Sequence, residues 1–145
     1  MKKSTLEEIL ARDGRLVYTI KGTSMEPMLR QDRDLVMISV PASHLKKYDV
    51  ALYKTGGRYY LHRVIRVQAG HYLIRGDNTY HLERVPFDAV LGVLTDFRHK
   101  DRQISANAPA YRLYARVWNL LYPLRHFLIR CRRLIRRIGV RGNTQ

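Results

Sequence analysis

Cysteine is almost missing from this chain, because Cys131 is the only one among 145 residues. A single cysteine excludes an internal disulfide and is consistent with a reducing compartment. Cys131 also has no partners at zinc-binding spacing, so we interpret it as a small apolar residue on a helix face. The sequence therefore predicts neither a metal site nor a cofactor.

Long hydrophobic segments are missing as well. No window of about 18 apolar residues occurs, so no membrane-spanning helix is expected. The first twelve residues are polar and lack the apolar segment of a secretory signal. A peripheral membrane protein is expected, and these absences favour the cytoplasmic face without fixing the side of the membrane.

Acidic residues are missing from the C-terminal part. From Arg102 onward the sequence has ten arginines and no aspartate, glutamate or lysine. Of 27 basic residues, the other 17 accompany all 12 acidic ones in residues 1–101, so that this segment carries +5 of the total +15. The tail is therefore predicted to meet an anionic partner, either a lipid surface or nucleic acid.

The chain does contain a regular series of β-prone segments. Runs of valine, isoleucine, leucine and tyrosine alternate with glycine, aspartate and asparagine turns at residues 16–21, 35–40, 49–53, 59–67, 71–75 and 90–97. This spacing predicts a mainly β, antiparallel fold, a small barrel or coiled sheet, rather than βαβ units. Thr5–Arg12 is predicted to be a short N-terminal helix, and the β domain is assigned to residues 1–107.

Residues 108–145 change to helical spacing. Apolar residues follow one another every three or four positions, and arginines fill much of the remaining surface. Pro123 is expected to kink or break this basic amphipathic helix. We favour a helix lying in an anionic membrane interface, where arginine heads reach lipid phosphates. Packing on the β domain or on a partner helix is the second interpretation, and nucleic-acid binding is the least favoured.

Three residues form a possible catalytic set. Ser24 lies on the turn Lys21-Gly22-Thr23-Ser24-Met25-Glu26-Pro27, His62 lies within a predicted strand, and Asp77 follows Gly76. A serine hydroxyl needs a base within hydrogen-bond reach, and a histidine base needs an orienting partner such as a carboxylate. By composition alone the signal is weak, because such a trio is available in many chains.

The local sequences around these residues resemble a known family. In order, the chain contains Ser24-Met25-Glu26-Pro27, Tyr48-Asp49-Val50-Ala51-Leu52-Tyr53, His62-Arg63-Val64-Ile65, Gly76-Asp77-Asn78 and Gly92-Val93. These five motifs, over about residues 19–97, resemble the ordered boxes of the type I signal peptidases. The resemblance implies a serine peptidase with Ser24 as nucleophile and His62 as general base. Histidine at this position is typical of the endoplasmic reticulum, archaea and some sporulating bacteria, whereas the usual bacterial branch has lysine.

The acid that accompanies His62 is implied less directly. Asp77 matches the family's Gly-Asp-Asn box and is favoured as the orienting residue. Histidine-type members can place a second acid shortly afterwards, and here Glu83 is the alternative, with Asp88 also nearby. Asp49 matches the box before the base and is expected to have a structural role at a turn.

The oxyanion is expected to be stabilised by backbone N–H groups of the Ser24 turn, around Gly22 and Thr23. Family members often have a hydroxyl two residues before the nucleophile, where this chain has Gly22. Met25 is expected either to line the substrate groove or to pack in the core.

The resemblance implies an endopeptidase that cleaves a signal or leader peptide from an exported or modified precursor, with the peptide added as an extended strand. Familiar signal peptidases carry an N-terminal spanning helix and often a second β domain, and the basic tail is expected to replace that anchor here. The alternative is a non-catalytic, repressor-type regulatory domain that binds nucleic acid through the tail. The oligomeric state is not indicated.

Overall fold

An open, coiled antiparallel sheet forms most of the molecule in the computed structural model, which describes residues 4–141. Its strands run in the spatial order β1-β2-β7-β3-β4-β5-β6, and β8 pairs with β7 beside this path. The strands are β1 (Arg15–Thr19), β2 (Leu35–Ser39), β3 (Val50–Thr55), β4 (Arg58–Gln68), β5 (His71–Arg75), β6 (Glu83–Pro86), β7 (Val90–His99) and β8 (Arg102–Ser105).

The prediction of a mainly β, antiparallel fold is confirmed, and each of the six predicted strands is present. The sheet is a coiled sheet and not a closed barrel, because β1 and β6 end the path without pairing with each other. β6 and β8 were not predicted. β6 is a four-residue strand that ends in Pro86, and proline with charged neighbours is typical of a sheet edge rather than of a central strand.

Within residues 4–141, three α-helices accompany the sheet: α1 (Leu6–Asp13), α2 (Pro109–Leu120) and α3 (Tyr122–Arg141). A capping box begins α1, since the Thr5 hydroxyl accepts from the Glu8 N–H and the Glu8 carboxylate accepts from the Thr5 N–H. The predicted single C-terminal helix is two helices, separated at Leu121 just before Pro123. Residues 142–145 of the predicted tail lie outside the described part.

None of the helices described between residues 4 and 141 combines the length and the apolar character that crossing a membrane would require.

The apolar core lies on both faces of the sheet, because successive residues of a strand point to opposite sides. In β3, Val50 and Leu52 belong to the larger cluster, which also holds Leu10 of α1 and Tyr111 of α2. Ala51 and Tyr53 belong to the smaller cluster, together with side chains from β4, β5 and β6. β3 is consequently buried on both sides, and its neighbour β4 also has two buried faces.

The hairpin between β3 and β4 determines which β4 side chains share a face. Gly56 and Gly57 have φ of 55° and 76°, a left-handed conformation that glycine adopts without strain. The two-residue turn pairs Thr55 with Arg58 and, further along, Ala51 with His62. His62 therefore points to the same face as Ala51, and the next residue of β4 points to the other face.

Candidate active site

Ser24 and His62 are in direct contact. The segment between β1 and β2 carries Ser24 to β4, where its Oγ lies 2.9 Å from Nε2 of His62. His62 is buried, with 6% of its surface exposed, and Ser24 is partly exposed. This distance is within the range required for a nucleophile and its base.

Two loops interlock to hold Ser24. The Asn78 N–H donates to the carbonyl oxygen of Ser24 (2.8 Å), and the Asn78 side-chain amide donates to the carbonyl oxygen of Thr23 (3.1 Å). A Cβ at Gly76 would lie only 2.6 Å from the Ser24 carbonyl oxygen, so only glycine permits this approach. The Gly76-Asp77-Asn78 turn thus supports Ser24.

The second ring nitrogen of His62 faces the hydroxyl of Tyr53. His62 Nδ1 lies 2.9 Å from this hydroxyl, which in turn donates to Oε2 of Glu83 at 2.7 Å. Burial raises the pKa of Tyr53, and the neighbouring Glu83 raises it further, so the phenol keeps its proton. Because that proton goes to Glu83, the phenolic oxygen accepts from the Nδ1–H of His62. Nε2 is then free to accept from the Ser24 hydroxyl.

The electrostatic environment keeps His62 neutral. Burial lowers its pKa below the ordinary value of about 6.5, while the charges of Glu83 and Asp77 oppose that shift. A lowered pKa leaves the unprotonated ring, which is the form that can accept a proton, predominant at neutral pH.

Asp77 does not contact His62. Its carboxylate instead forms a bidentate ion pair with Arg63, in which Nε donates to Oδ1 and Nη2 to Oδ2, both at 2.7 Å. The physical reason is the alternation of β4, since Arg63 follows His62 and points to the opposite face. Arg63 pairs with Arg75 of β5, and Asp77 follows Arg75 by two residues. The assignment of Asp77 as the residue that orients the ring does not agree with this geometry.

Glu83, the alternative acid, lies on the His62 face. Glu83 pairs with Ile74, and Ile74 pairs with Val64, two residues beyond His62 on the same side of β4. Side chains directly opposite in paired strands share a face. Glu83 therefore reaches the base through Tyr53 rather than by direct contact.

The Arg63–Asp77 pair is fully buried, with side-chain exposures of 0% and 1%. Nη1 of Arg63 also donates to the carbonyl oxygen of Tyr48 and to the hydroxyl of Tyr111, each at 3.0 Å. Burial by itself would lower the pKa of Arg63, but the Asp77 carboxylate outweighs burial and raises it. The guanidinium therefore remains charged inside the core.

The C-terminal helices contact the same turn. The Trp118 indole N–H donates to the Asp77 carbonyl oxygen at 3.0 Å, and Arg125 donates to that oxygen at 3.1 Å. The Arg125 guanidinium also stacks over the Trp118 ring, 3.7 Å from its centroid. Both helices thus brace the turn that supports Ser24.

A groove of about 560 Å³ opens beside the Ser–His pair. One side is formed by residues 18–22 and the other by residues 57–62, with Leu6 of α1 between them. Within the described residues, β1 pairs only with β2, and residues 58–62 of β4 pair only with β3. Both sides of the groove therefore present strand edges with unused backbone hydrogen-bonding groups.

The other predicted residues occupy different positions around this groove. Gly22 and Met25 line it, and Met25 is also buried in the larger core cluster. The N–H of Gly22 donates to the side chain of Gln31 at 2.7 Å and is not available to an oxyanion. Thr23 is exposed and does not line the groove.

The two remaining acids, Asp49 and Asp88, have no contact with Ser24 or His62. The Asp49 carboxylate accepts from the Lys46 N–H at 2.7 Å, a turn contact that matches its expected structural role. Asp88 is exposed in a single 3₁₀ turn. In residues 4–141 there is no cluster of three or more side chains suited to holding a metal ion.

Sequence reasoning missed several members of the site, namely Gln31, Tyr53, Arg63, Asn78, Trp118 and Arg125. One signal was available for Tyr53. The two-residue turn at Gly56-Gly57 pairs Tyr53 with Tyr60, which places it on the same face as His62 and diagonal to it. The helix residues had no comparable signal, because their partner turn is distant in the chain.

Comparison of the chain with models of protein families and with curated protein sequences finds no match.

The first prediction concerns the charge of Glu83. Glu83→Gln keeps an acceptor for the Tyr53 hydroxyl and removes the negative charge that raises the pKa of His62. The pKa of His62 is therefore expected to fall further below its ordinary value. The measurement is an NMR titration of the His62 ring protons.

Asp88→Asn is the matched control, because it removes the same charge from an exposed position. This control is expected to leave the pKa of His62 unchanged. An unchanged titration in Glu83→Gln would show that Glu83 does not act on the ring.

The second prediction concerns the buried ion pair. Asp77→Asn leaves the Arg63 charge without its carboxylate, so the free energy of unfolding is expected to fall by about 3–5 kcal/mol. Urea denaturation followed by circular dichroism measures this loss, with Asp101→Asn as an exposed control. A stability close to that of the parent chain would contradict a structural role for Asp77.

Proposed function

We propose that the chain is a serine endopeptidase in which Ser24 is the nucleophile and His62 the general base. The observation that carries the proposal is the 2.9 Å contact between Ser24 Oγ and His62 Nε2 at the wall of an open groove. The resemblance to histidine-type signal peptidases points to the same two residues.

The proposed reaction is an acyl transfer in two halves. Ser24 Oγ attacks the carbonyl carbon of the scissile peptide bond while His62 Nε2 takes the hydroxyl proton. The imidazolium then gives this proton to the leaving amine, and an ester of Ser24 remains. In the second half His62 takes a proton from water, the hydroxide attacks the ester, and the proton returns to Ser24 as the acid is released.

The Tyr53–Glu83 pair supports the charged intermediate form of His62. When Nε2 is protonated, Nδ1–H still donates to Tyr53, whose own proton is held by the Glu83 carboxylate. Through this chain of hydrogen bonds the Glu83 carboxylate stabilises the imidazolium without direct contact with the ring. It takes the orienting role that the sequence analysis gave to Asp77.

The oxyanion is proposed to bind at the backbone of the Ser24 turn. The Gly22 N–H is engaged by Gln31, so the proposed donor is the N–H of Ser24 itself, next to the attacking hydroxyl. The Asn78 side-chain amide donates to the Thr23 carbonyl oxygen, which belongs to the same peptide group as the Ser24 N–H, and this contact favours preorganised stabilisation.

An extended, apolar peptide is the proposed substrate. The two free strand edges of the groove offer backbone hydrogen bonds to an added strand, and the lining includes Tyr18, Ile20 and Leu61. Signal and leader peptides combine an apolar segment with small residues at the cleavage point. A precursor that is exported or modified is therefore the proposed substrate class.

A membrane surface is the proposed location of this activity, with the chain as a peripheral protein. The support is the tail, which combines ten arginines and no acidic residue with amphipathic helices.

The third prediction tests the nucleophile and the base. Ser24→Ala and His62→Ala are each expected to lower kcat/KM by about a thousandfold or more, because either change removes the Ser–His pair. The measurement is hydrolysis of a synthetic peptide with an apolar segment followed by small residues, analysed by mass spectrometry. Ser43→Ala and His81→Ala, at exposed positions, are the matched controls and are expected to cleave normally.

Circular dichroism of each variant separates a catalytic loss from unfolding. Cleavage that persists in folded Ser24→Ala would rule out the proposed mechanism. If no peptide is cleaved and the chain forms a salt-sensitive complex with DNA in a gel shift, the regulatory alternative is favoured instead.

A further inference from the structure

The outer surface of α2 and α3 exposes a row of large apolar side chains, which we call the apolar stripe. Its six members are each between 54% and 78% exposed: Leu113, Leu120, Leu124, Phe127, Leu134 and Ile135. Single exposed leucines are normal, but a continuous row along two successive helices is a mark of a binding surface. Each of these side chains stabilises a complex if a partner removes it from water.

The β domain is not the partner of the stripe, because the opposite side of the helices already contacts it. Tyr111 and Ala115 of α2 are buried against the sheet. Trp118 and Arg125 hold the Asp77 carbonyl oxygen, and the Tyr122 hydroxyl donates to the carbonyl oxygen of Tyr80 at 3.1 Å. With this side occupied, the stripe remains open to an external partner.

The charge beside the stripe indicates the chemistry of that partner. Among the helix side chains whose exposure the structure describes, five arginines are exposed, and the tail has no acidic residue to neutralise them; they are Arg112, Arg116, Arg130, Arg132 and Arg137. At helical spacing, Arg130 and Arg137 flank the row that contains Leu134. The surface therefore offers apolar side chains along its centre and cations along its margins.

Three kinds of partner could bind the apolar stripe and its flanking arginines, and they differ in how much of this surface they satisfy. A second copy of the chain would bring two sets of arginines together without any tail carboxylate, which is electrostatically unfavourable. Nucleic acid would satisfy the arginines and leave the stripe in water. An anionic lipid bilayer satisfies both, because acyl chains cover the stripe and phosphates meet the guanidinium groups.

We propose that the apolar stripe and its flanking arginines bind an anionic lipid bilayer, with α2 and α3 lying along its surface. This inference rests on the proposed membrane location and does not depend on the peptidase chemistry. It also gives the helices two roles on two sides, since the inner side braces the turn that supports Ser24. Lipid binding on the outer side thereby attaches the membrane to the element that carries the active-site support.

The experiment uses the full chain with Ser24→Ala, so that binding is measured without any cleavage. Co-sedimentation with vesicles of phosphatidylcholine alone is compared with vesicles that contain about one third phosphatidylglycerol. The protein is expected to bind the anionic vesicles at least a hundredfold more tightly than the neutral ones. The opposite preference, or equal binding to both, would overturn the anionic part of the proposal.

Two added triple variants separate the apolar and the charged contributions. Leu120→Ser, Leu124→Ser and Phe127→Ser together are expected to weaken binding to anionic vesicles by at least about a hundredfold. Their control replaces three exposed valines of the β domain by serine, namely Val17, Val40 and Val67. Full binding by the stripe variant, with unchanged helix content in circular dichroism, would overturn the proposal. If the triple variant loses helix, the single Leu120→Ser variant replaces it, and its affinity for anionic vesicles is expected to fall about tenfold.

The charge variant combines Arg130→Gln, Arg132→Gln and Arg137→Gln. It is expected to lose about a hundredfold in affinity for anionic vesicles and to bind neutral vesicles unchanged. The same number of charges is removed from the β domain in the control, by changing Arg66, Arg84 and Arg98 to Gln, and little loss is expected there.

A stripe-dependent dimer in analytical ultracentrifugation, without vesicle binding, would show that a second copy is the occupant and would overturn the proposal. Because every arm carries Ser24→Ala, these outcomes are independent of whether the peptidase assay succeeds.

Discussion

The buried ion pair between Arg63 and Asp77 is the interaction on which the site depends. It joins β4 to the Gly76-Asp77-Asn78 turn, and that turn holds the Ser24 carbonyl oxygen through Asn78. A buried pair of charges contributes little net stability compared with apolar packing, but it is costly to break. Its value here is positional, because a bidentate guanidinium–carboxylate contact fixes both distance and orientation. The Ser24 turn is itself oriented by two hydrogen bonds from Asn78, at 2.8 and 3.1 Å.

One strand therefore serves the site from both of its faces. His62 and Arg63 are neighbours in β4, and strand alternation sends the base towards the Tyr53–Glu83 pair and the arginine towards Asp77. The sequence offers two acids, Asp77 and Glu83, as candidates to orient His62, and in the structure the two have different contacts. Glu83 is connected to the His62 ring through the Tyr53 hydroxyl. Asp77 binds Arg63 and belongs to the turn that holds Ser24. The chemistry of the ring and the rigidity of its surroundings are thus assigned to different carboxylates.

Much of the fold could be predicted because its strands are regular and its turns are glycine-rich. The register at Gly56-Gly57 follows from turn chemistry alone, and it was sufficient to put Tyr53 beside His62 and to keep Arg63 away from it. The strand β6 was missed because Glu83, Arg84 and Pro86 are unusual in a strand, and with it the position of Glu83 was lost. The contacts of Asn78 and Gln31 with the Ser24 turn could not be predicted, since they join loops whose approach depends on the whole sheet.

The C-terminal helices show a different limit of sequence reasoning. Helical spacing groups all apolar residues into one amphipathic pattern, but the structure divides them by chemistry. The aromatic residues Tyr111 and Trp118 face the β domain, where hydroxyl and indole groups find buried partners, whereas leucines face outwards. Aromatic residues with polar atoms suit a docking side that contains a buried arginine and a free carbonyl, and aliphatic residues without polar atoms suit an acyl phase. The inner side of the tail thus contacts the turn that holds Ser24, and its outer side is the surface proposed to meet a membrane. Substitutions on one side therefore leave the contacts of the other side in place.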